Sequence, residues 1–124
     1  MRAPLGVLLI SGGHERAHYA LMVATAAAAI GREVTLFATN AGCRALLAAA
    51  PLKADPREAA LAAAGVATLG ELLEAAEALG LRRIACEAGL RVEGLHEAPL
   101  APGVEVAGLV TFLAAVGAGQ VVTL

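Results

Sequence analysis

The amino-acid sequence predicts an α/β domain with three layers around a mostly parallel five-stranded sheet, and three observations carry this. Short apolar runs such as residues 5–10 read as strands buried on both faces of a sheet. These runs alternate with helical stretches, the pattern that builds parallel sheets through crossover helices. Gly or Pro punctuates most of the junctions between them. The 124 residues suit a single domain, 1–124, since roughly 100–200 residues make one domain, and no repeat or linker divides the chain.

The elements follow in order. Residues 5–10 form the first strand, ending in Ser11-Gly12-Gly13. A helix over 15–30 is closed by Gly31, and residues 33–38 alternate as a second strand, completing a β-α-β unit with the usual right-handed crossover. After a turn at 39–42, a short helix over 43–50 stops before Pro51. Asp55-Pro56 opens another over 57–64, and Gly65 ends it. Residues 51–66 are the least constrained stretch and are expected to behave as a flap. Thr68 and Glu71 form a capping box for a helix reaching Leu79, with Leu69, Leu72, Leu73 and Ala76 inward. Residues 82–86 are the third strand and 87–95 a short helix or turn. Residues 104–106, 108–116 and 121–124 give the fourth strand, a helix and the fifth strand. The expected strand order is the flavodoxin-like 2-1-3-4-5.

Composition sets the partners. Apolar residues make up 59% of the chain, and only 16% are charged, too few to cover the surface of a monomer. Self-association is the expected remedy, and the first helix beyond Tyr19, apolar all round apart from Thr25, is an expected contact face. A net charge of −2 offers no electrostatic attraction to nucleic acid or to an anionic membrane, so neither is an expected partner. The uncharged stretch 106–124 approaches the roughly 20 residues of a membrane span. Its three Gly, two Thr and Gln120 break it instead into a buried helix and a strand. The apolar run near the N-terminus is too short for a signal-peptide core, and two cysteines are too few for a disulfide scaffold. A cytoplasmic location with free thiols is the expectation.

In an open α/β sheet, ligands bind beyond the carboxyl ends of the strands where strand order reverses. With order 2-1-3-4-5 that point joins the Ser11-Gly12-Gly13-His14 loop to Cys86-Glu87, with Asn40 and Cys43 beyond the second strand. Cys86 is the leading candidate for chemistry, because a thiol where a strand meets a helix N-terminus faces main-chain N–H groups that favour a thiolate. Adjacent Glu87 opposes this, and an inert, packed Cys86 is the competing reading. Gly12 and Gly13 are candidates for an anion cradle, or else a tight turn, and Asn40 joins them as a candidate ligand residue. His14 is a candidate acid, base or orienting group, or simply a polar residue at a helix start. His14-Glu15-Arg16-Ala17-His18 matches H-E-x-x-H, the zinc-peptidase pattern. Its place on a crossover helix straight after a buried strand, with Leu21 where an extended motif needs Gly, argues against that enzyme. A non-proteolytic site on His14 and His18, with or without Cys86, is the better of the two metal readings but still the minor one, so no metal and no cofactor are expected. A Cys43–Cys86 bridge is not expected either, since the first strand would lie between them.

Residues 68–124 also carry a family resemblance: an acidic helix, a strand ending Ile84-Ala85-Cys86, a turn through Gly94, and then Gly103-Val104-Glu105-Val106-Ala107-Gly108-Leu109-Val110-Thr111-Phe112-Leu113. With Arg32-Glu33-Val34-Thr35-Leu36-Phe37 in front, the chain resembles the DsrE/DsrF-like family over nearly its whole length. The resemblance implies a flavodoxin-like fold, trimers or hexamers, and relay of sulfane sulfur as a persulfide on a cysteine after the third strand, here Cys86, between donor and acceptor proteins. One branch of that family has Ser-Met shortly after this cysteine, where the present chain has Ala88-Gly89 after Glu87. A sulfurtransferase-like sulfur carrier is therefore the function implied. The alternative is a non-catalytic, small-ligand-binding or structural oligomer in which Cys86 is inert.

Overall fold

A computed structural model describes residues 2–124. Five strands, β1 (Leu5–Leu9), β2 (Val34–Ala38), β3 (Arg82–Cys86), β4 (Glu105–Ala107) and β5 (Gln120–Thr123), form one sheet in which every pairing is parallel. Helices α1 (His14–Ala29), α2 (Arg57–Ala63), α3 (Leu69–Ala78), α4 (Glu87–Val92) and α5 (Leu109–Val116) connect them, with 3-10 turns at Asn40–Leu46 and Pro51–Ala54 after β2. The capping box forms as its spacing predicts: the Glu71 N–H donates to Thr68 Oγ1 at 3.1 Å, and the Thr68 N–H donates to Glu71 Oε1 at 3.2 Å.

The strand order is β4-β3-β2-β1-β5, which corrects the expected 2-1-3-4-5. From β1 the chain steps in one direction through β2 and β3 to β4, and only the last crossover returns, to lay β5 beside β1. Gly6 shows what makes that return possible. A Cβ there would stand 2.4 Å from Val116 Cγ2 and 2.7 Å from Phe112 Cζ, so α5 presses directly on the backbone of β1. Phe112 then stacks on Phe37 of β2 with ring centroids 4.9 Å apart. Hydrophobic period reports which face a residue uses, and these contacts between distant segments decide which strand neighbours which.

One face of the sheet is covered by α1 packed against α3, over a core that includes Val7, Leu9, Leu21, Leu36, Leu46 and Leu69. The other face holds Phe37, Ile84, Cys86, Phe112 and Val116 beneath α5. Five strands span about 19 Å between the outermost axes, and one helix lying along them is about 10–12 Å across, so α5 alone cannot cover that face. Leu109, Val110 and Leu113 of α5 and Val121 of β5 are left exposed on this side, while Val106 and Val122, paired with Ala85 and Val7, are exposed on the α1 side of the edge strands. No helix among the described residues is long and apolar enough to cross a membrane.

Candidate functional site

Reordering the strands moves the point where strand order reverses to β1 and β5, and leaves Cys86 off it, at the carboxyl end of β3. β3 runs into α4, whose Leu90 joins the core on the α1 side, whereas neighbouring β4 runs into α5 on the opposite face. At the carboxyl ends of β3 and β4, Cys86 pairs with Ala107. Cys86 is the last residue of β3 and the N-cap of α4, and its Sγ accepts the Gly89 N–H at 3.4 Å. The residue is 7% exposed. Glu87, whose charge would oppose a thiolate, turns its carboxylate to Arg91 one helical turn on, at 3.3 Å.

Gly89 is what lets α4 sit this close. A Cβ on it would lie 2.4 Å from the Asn40 nitrogen and 2.6 Å from Thr39 Oγ1, so α4 rests on the end of β2. Asn40, in the left-handed region with φ 49° and exposed to solvent, is thereby beside the Cys86 helix. It is one predicted site residue that the fold does bring to Cys86.

The Gly12-Gly13-His14 loop is not brought to Cys86. It follows β1, and β2 lies between β1 and β3, so the two loops expected to meet are two strand spacings apart, about 9–10 Å. Gly12 is explained by packing, since a Cβ there would come within 2.7 Å of the Ala41 Cβ. Gly13 has open space around it. His14 is 3% exposed, and its Nε2 lies 2.6 Å from Glu58 Oε1. Its Nδ1 is buried without a hydrogen-bond partner. His18 stacks on His14 at 5.9 Å between ring centroids, but its Nε2 pairs with the Ala67 carbonyl oxygen at 2.8 Å. The two imidazoles of the H-E-x-x-H match thus face different partners, and among the described residues no three His, Cys, Asp or Glu are grouped to hold a metal ion.

Glu58 escaped the sequence reading. It accepts the Leu69 N–H at 2.8 Å and the Gly70 N–H at 3.2 Å while meeting His14, so one carboxylate joins α2, the start of α3 and the start of α1. Burial alone would raise its pKa. The hydrogen bonds from His14, Gly70 and Leu69 outweigh that and hold it below the usual carboxylate range. The stretch 51–66, expected to be a flap, is pinned at this point. Only the period of α2 was available as a signal, and period does not report a partner eleven residues away on another helix.

Cys43 also takes a different place from the one expected. It lies in the 3-10 turn after β2, fully buried, with Sγ 3.5 Å from the Ala38 carbonyl oxygen. With β2 directly beside β3, no strand separates it from Cys86. Both thiols are free. A cleft of about 450 Å³ at the opposite end of the sheet includes Arg32 and Arg82, but Arg32 is bonded to Pro4 and Gln120 and Arg82 to Glu105.

Comparison with known proteins agrees with this arrangement. The family model described as "DsrE/DsrF-like family" matches residues 5–124. The chain belongs to the DsrE/DsrF-like family. The crystal structure of the YchN protein from E. coli superposes on this DsrE/DsrF-like chain with a TM-score of 0.76 at 20% identity, covering 99% of this chain and 100% of that one. The likeness is one of fold. No curated protein matches the sequence.

Proposed function

We propose that this DsrE/DsrF-like protein is a sulfur carrier in which Cys86 accepts sulfane sulfur as a persulfide and passes it to an acceptor thiol. One observation carries the reading: Cys86 stands where β3 ends and α4 begins, with the Gly89 N–H directed at its sulfur. Membership of a family associated with sulfur relay supports it. The Cys86 thiolate attacks the outer sulfur of a persulfide donor, and the donor thiolate leaves with the bonding electron pair. The outer sulfur then passes to an acceptor thiol by the same exchange, which needs no cofactor. In this reading Asn40, exposed next to α4, would meet the incoming group, whereas His14, held by Glu58, supports the fold around α1.

Incubation with glutathione persulfide should add about 32 Da, one sulfur, to the intact chain, and Cys86→Ser should abolish the gain. An unchanged wild-type mass would overturn the reading. It would favour the alternative that Cys86 only packs, the reading to which its low exposure points.

We further propose a homo-oligomer assembled through the α5 face, because Leu109, Val110 and Leu113 form an exposed apolar row on a helix that leaves its side of the sheet incompletely covered. Because α5 starts two residues after β4 ends, such an assembly would place a neighbouring subunit close to the carboxyl ends of β3 and β4.

A further inference from the structure

A reversal of strand order opens an α/β sheet to ligands outside the carboxyl ends of the two strands concerned, and in this sheet those strands are β1 and β5. The sulfur-carrier reading makes no use of this place, because β2 separates β1 from the strand that ends in Cys86. A groove of about 510 Å³ lies there, within the roughly 300–1,000 Å³ of small-molecule sites. Its walls come from the first two turns of α1, from α2, and from Leu124 after β5. Leu124 is fixed at this point because its main-chain oxygen accepts the Ile10 N–H at 2.9 Å and the Ser11 N–H at 3.4 Å, which carries the β1–β5 pairing to its end.

The groove holds more positive than negative charge. Arg16 of α1 and Arg57 of α2 both line it. The Arg57 guanidinium meets only the exposed Glu15 carboxylate, at 3.2 Å, and Arg16 pairs with no carboxylate among the described residues. Gly13 provides no capping side chain, so the unpaired main-chain N–H groups that open the 16-residue α1 add to the positive side. His18 supplies an acceptor. It is 6% exposed, and its Nε2 bonds the Ala67 carbonyl oxygen, so Nε2 carries the proton and Nδ1 of the neutral ring keeps its lone pair. No protein group donates to that Nδ1, and it is not sealed from solvent as Nδ1 of His14 is. The remaining wall is apolar: the exposed Tyr19 ring, Leu61 and the Leu124 side chain.

We infer that this groove binds a small organic anion with an aromatic body and an N–H donor, of the chemical class of a nucleoside monophosphate. The two guanidinium groups hold the phosphate, for which their planar forks are suited. The ring of the base lies against Tyr19 and Leu61, and an N–H on it donates to His18 Nδ1. No covalent bond forms or breaks, and binding is independent of sulfur on Cys86.

Titration of the full chain with adenosine monophosphate, read by calorimetry and by amide chemical shifts, tests this. One nucleotide should bind per chain, with the shifts gathered in residues 13–19 and 57–61. Arg16→Ala removes a guanidinium that pairs with no carboxylate of the protein and should weaken binding at least about tenfold. Tyr19→Ala removes an exposed ring and should weaken it at least about threefold. Both variants should keep the wild-type melting temperature, and Cys86→Ser should bind the nucleotide as the wild type does. No binding at millimolar adenosine monophosphate overturns the inference. So does binding that Arg16→Ala leaves unchanged, or inorganic phosphate that binds as tightly as the nucleotide, since the apolar wall would then contribute nothing. The sulfur-carrier reading is untouched by each of these results, because it is decided by the mass gain on Cys86.

Discussion

Glu58 serves three elements with two oxygen atoms, and its contacts set a pH dependence. Its pKa is lowered in the folded chain, so its contribution to stability is present above the ordinary carboxylate range. That contribution is lost as pH falls through the lower folded value, where the carboxylate takes up a proton and its bonds to the Leu69 and Gly70 amides weaken. Thermal melts of wild type against Glu58→Gln should differ by about 1–3 kcal/mol near pH 7, and the gap should narrow below about pH 4. A constant gap across that range would refute the assignment. Gly89 is the second residue on which the site turns. Gly89→Ala forces a Cβ against the Asn40 nitrogen and Thr39, which should cost about 1–3 kcal/mol and move the Gly89 amide away from the Cys86 sulfur. Persulfide loading should therefore fall along with the melting temperature, and a variant with wild-type stability and loading would show that α4 does not need this close approach. Cys86 itself was legible from its place at the end of a strand. Glu58 and the nearness of Cys43 were not, because each depends on a contact between elements that local pattern does not record.

At the scale of elements, α5 separates two explanations of one uncharged stretch. Residues 106–124 have the length of a membrane span, yet they fold as β4's end, an eight-residue helix and β5, divided at Gly117 and Gly119 as the sequence predicts. The helix buries Phe112 and Val116 and leaves Val110 82% exposed. If this row is a subunit contact, each buried Val side chain is worth about 1.5–3 kcal/mol, and Val110→Asp should weaken association at least about tenfold. Light scattering during size-exclusion chromatography should then show the variant at lower mass than the wild type, with the same far-ultraviolet circular dichroism. A monomeric wild type would remove the proposal. The first helix was the sequence's candidate for a contact face, but Met22 and Val23 there are partly covered by the chain's own core. Tyr19 and Ile30 are exposed at the two ends of that helix, and a denser set of exposed apolar residues lies on α5 and the edge strands.

For the whole molecule, the strand order has a direct experimental signature. In the order β4-β3-β2-β1-β5, β2 is central and all five of its residues are buried; in the order 2-1-3-4-5 it would be an edge strand. Amides of β2 should thus exchange with solvent among the slowest in the chain, through global opening, while those of β4 exchange faster. Fast exchange across β2 would return it to an edge. The sequence by itself determined the alternation of strands and helices, the capping box at Thr68, the breaks at Gly and Pro, and the seat of Cys86 between a strand and a helix. These are properties of neighbouring residues, read from period, conformational preference and hydrogen-bonding reach along the chain. Only the tertiary structure decided that β3 lies beside β2 and β5 beside β1. Parallel strands joined by crossovers have the same local pattern in either order, and the choice falls to contacts between distant segments, such as Phe112 and Val116 on Gly6. That choice placed β2, not β1, beside β3 at the Cys86 end, kept the Gly12-Gly13-His14 loop away from Cys86, and set the two cysteines of the chain at the same end of neighbouring strands.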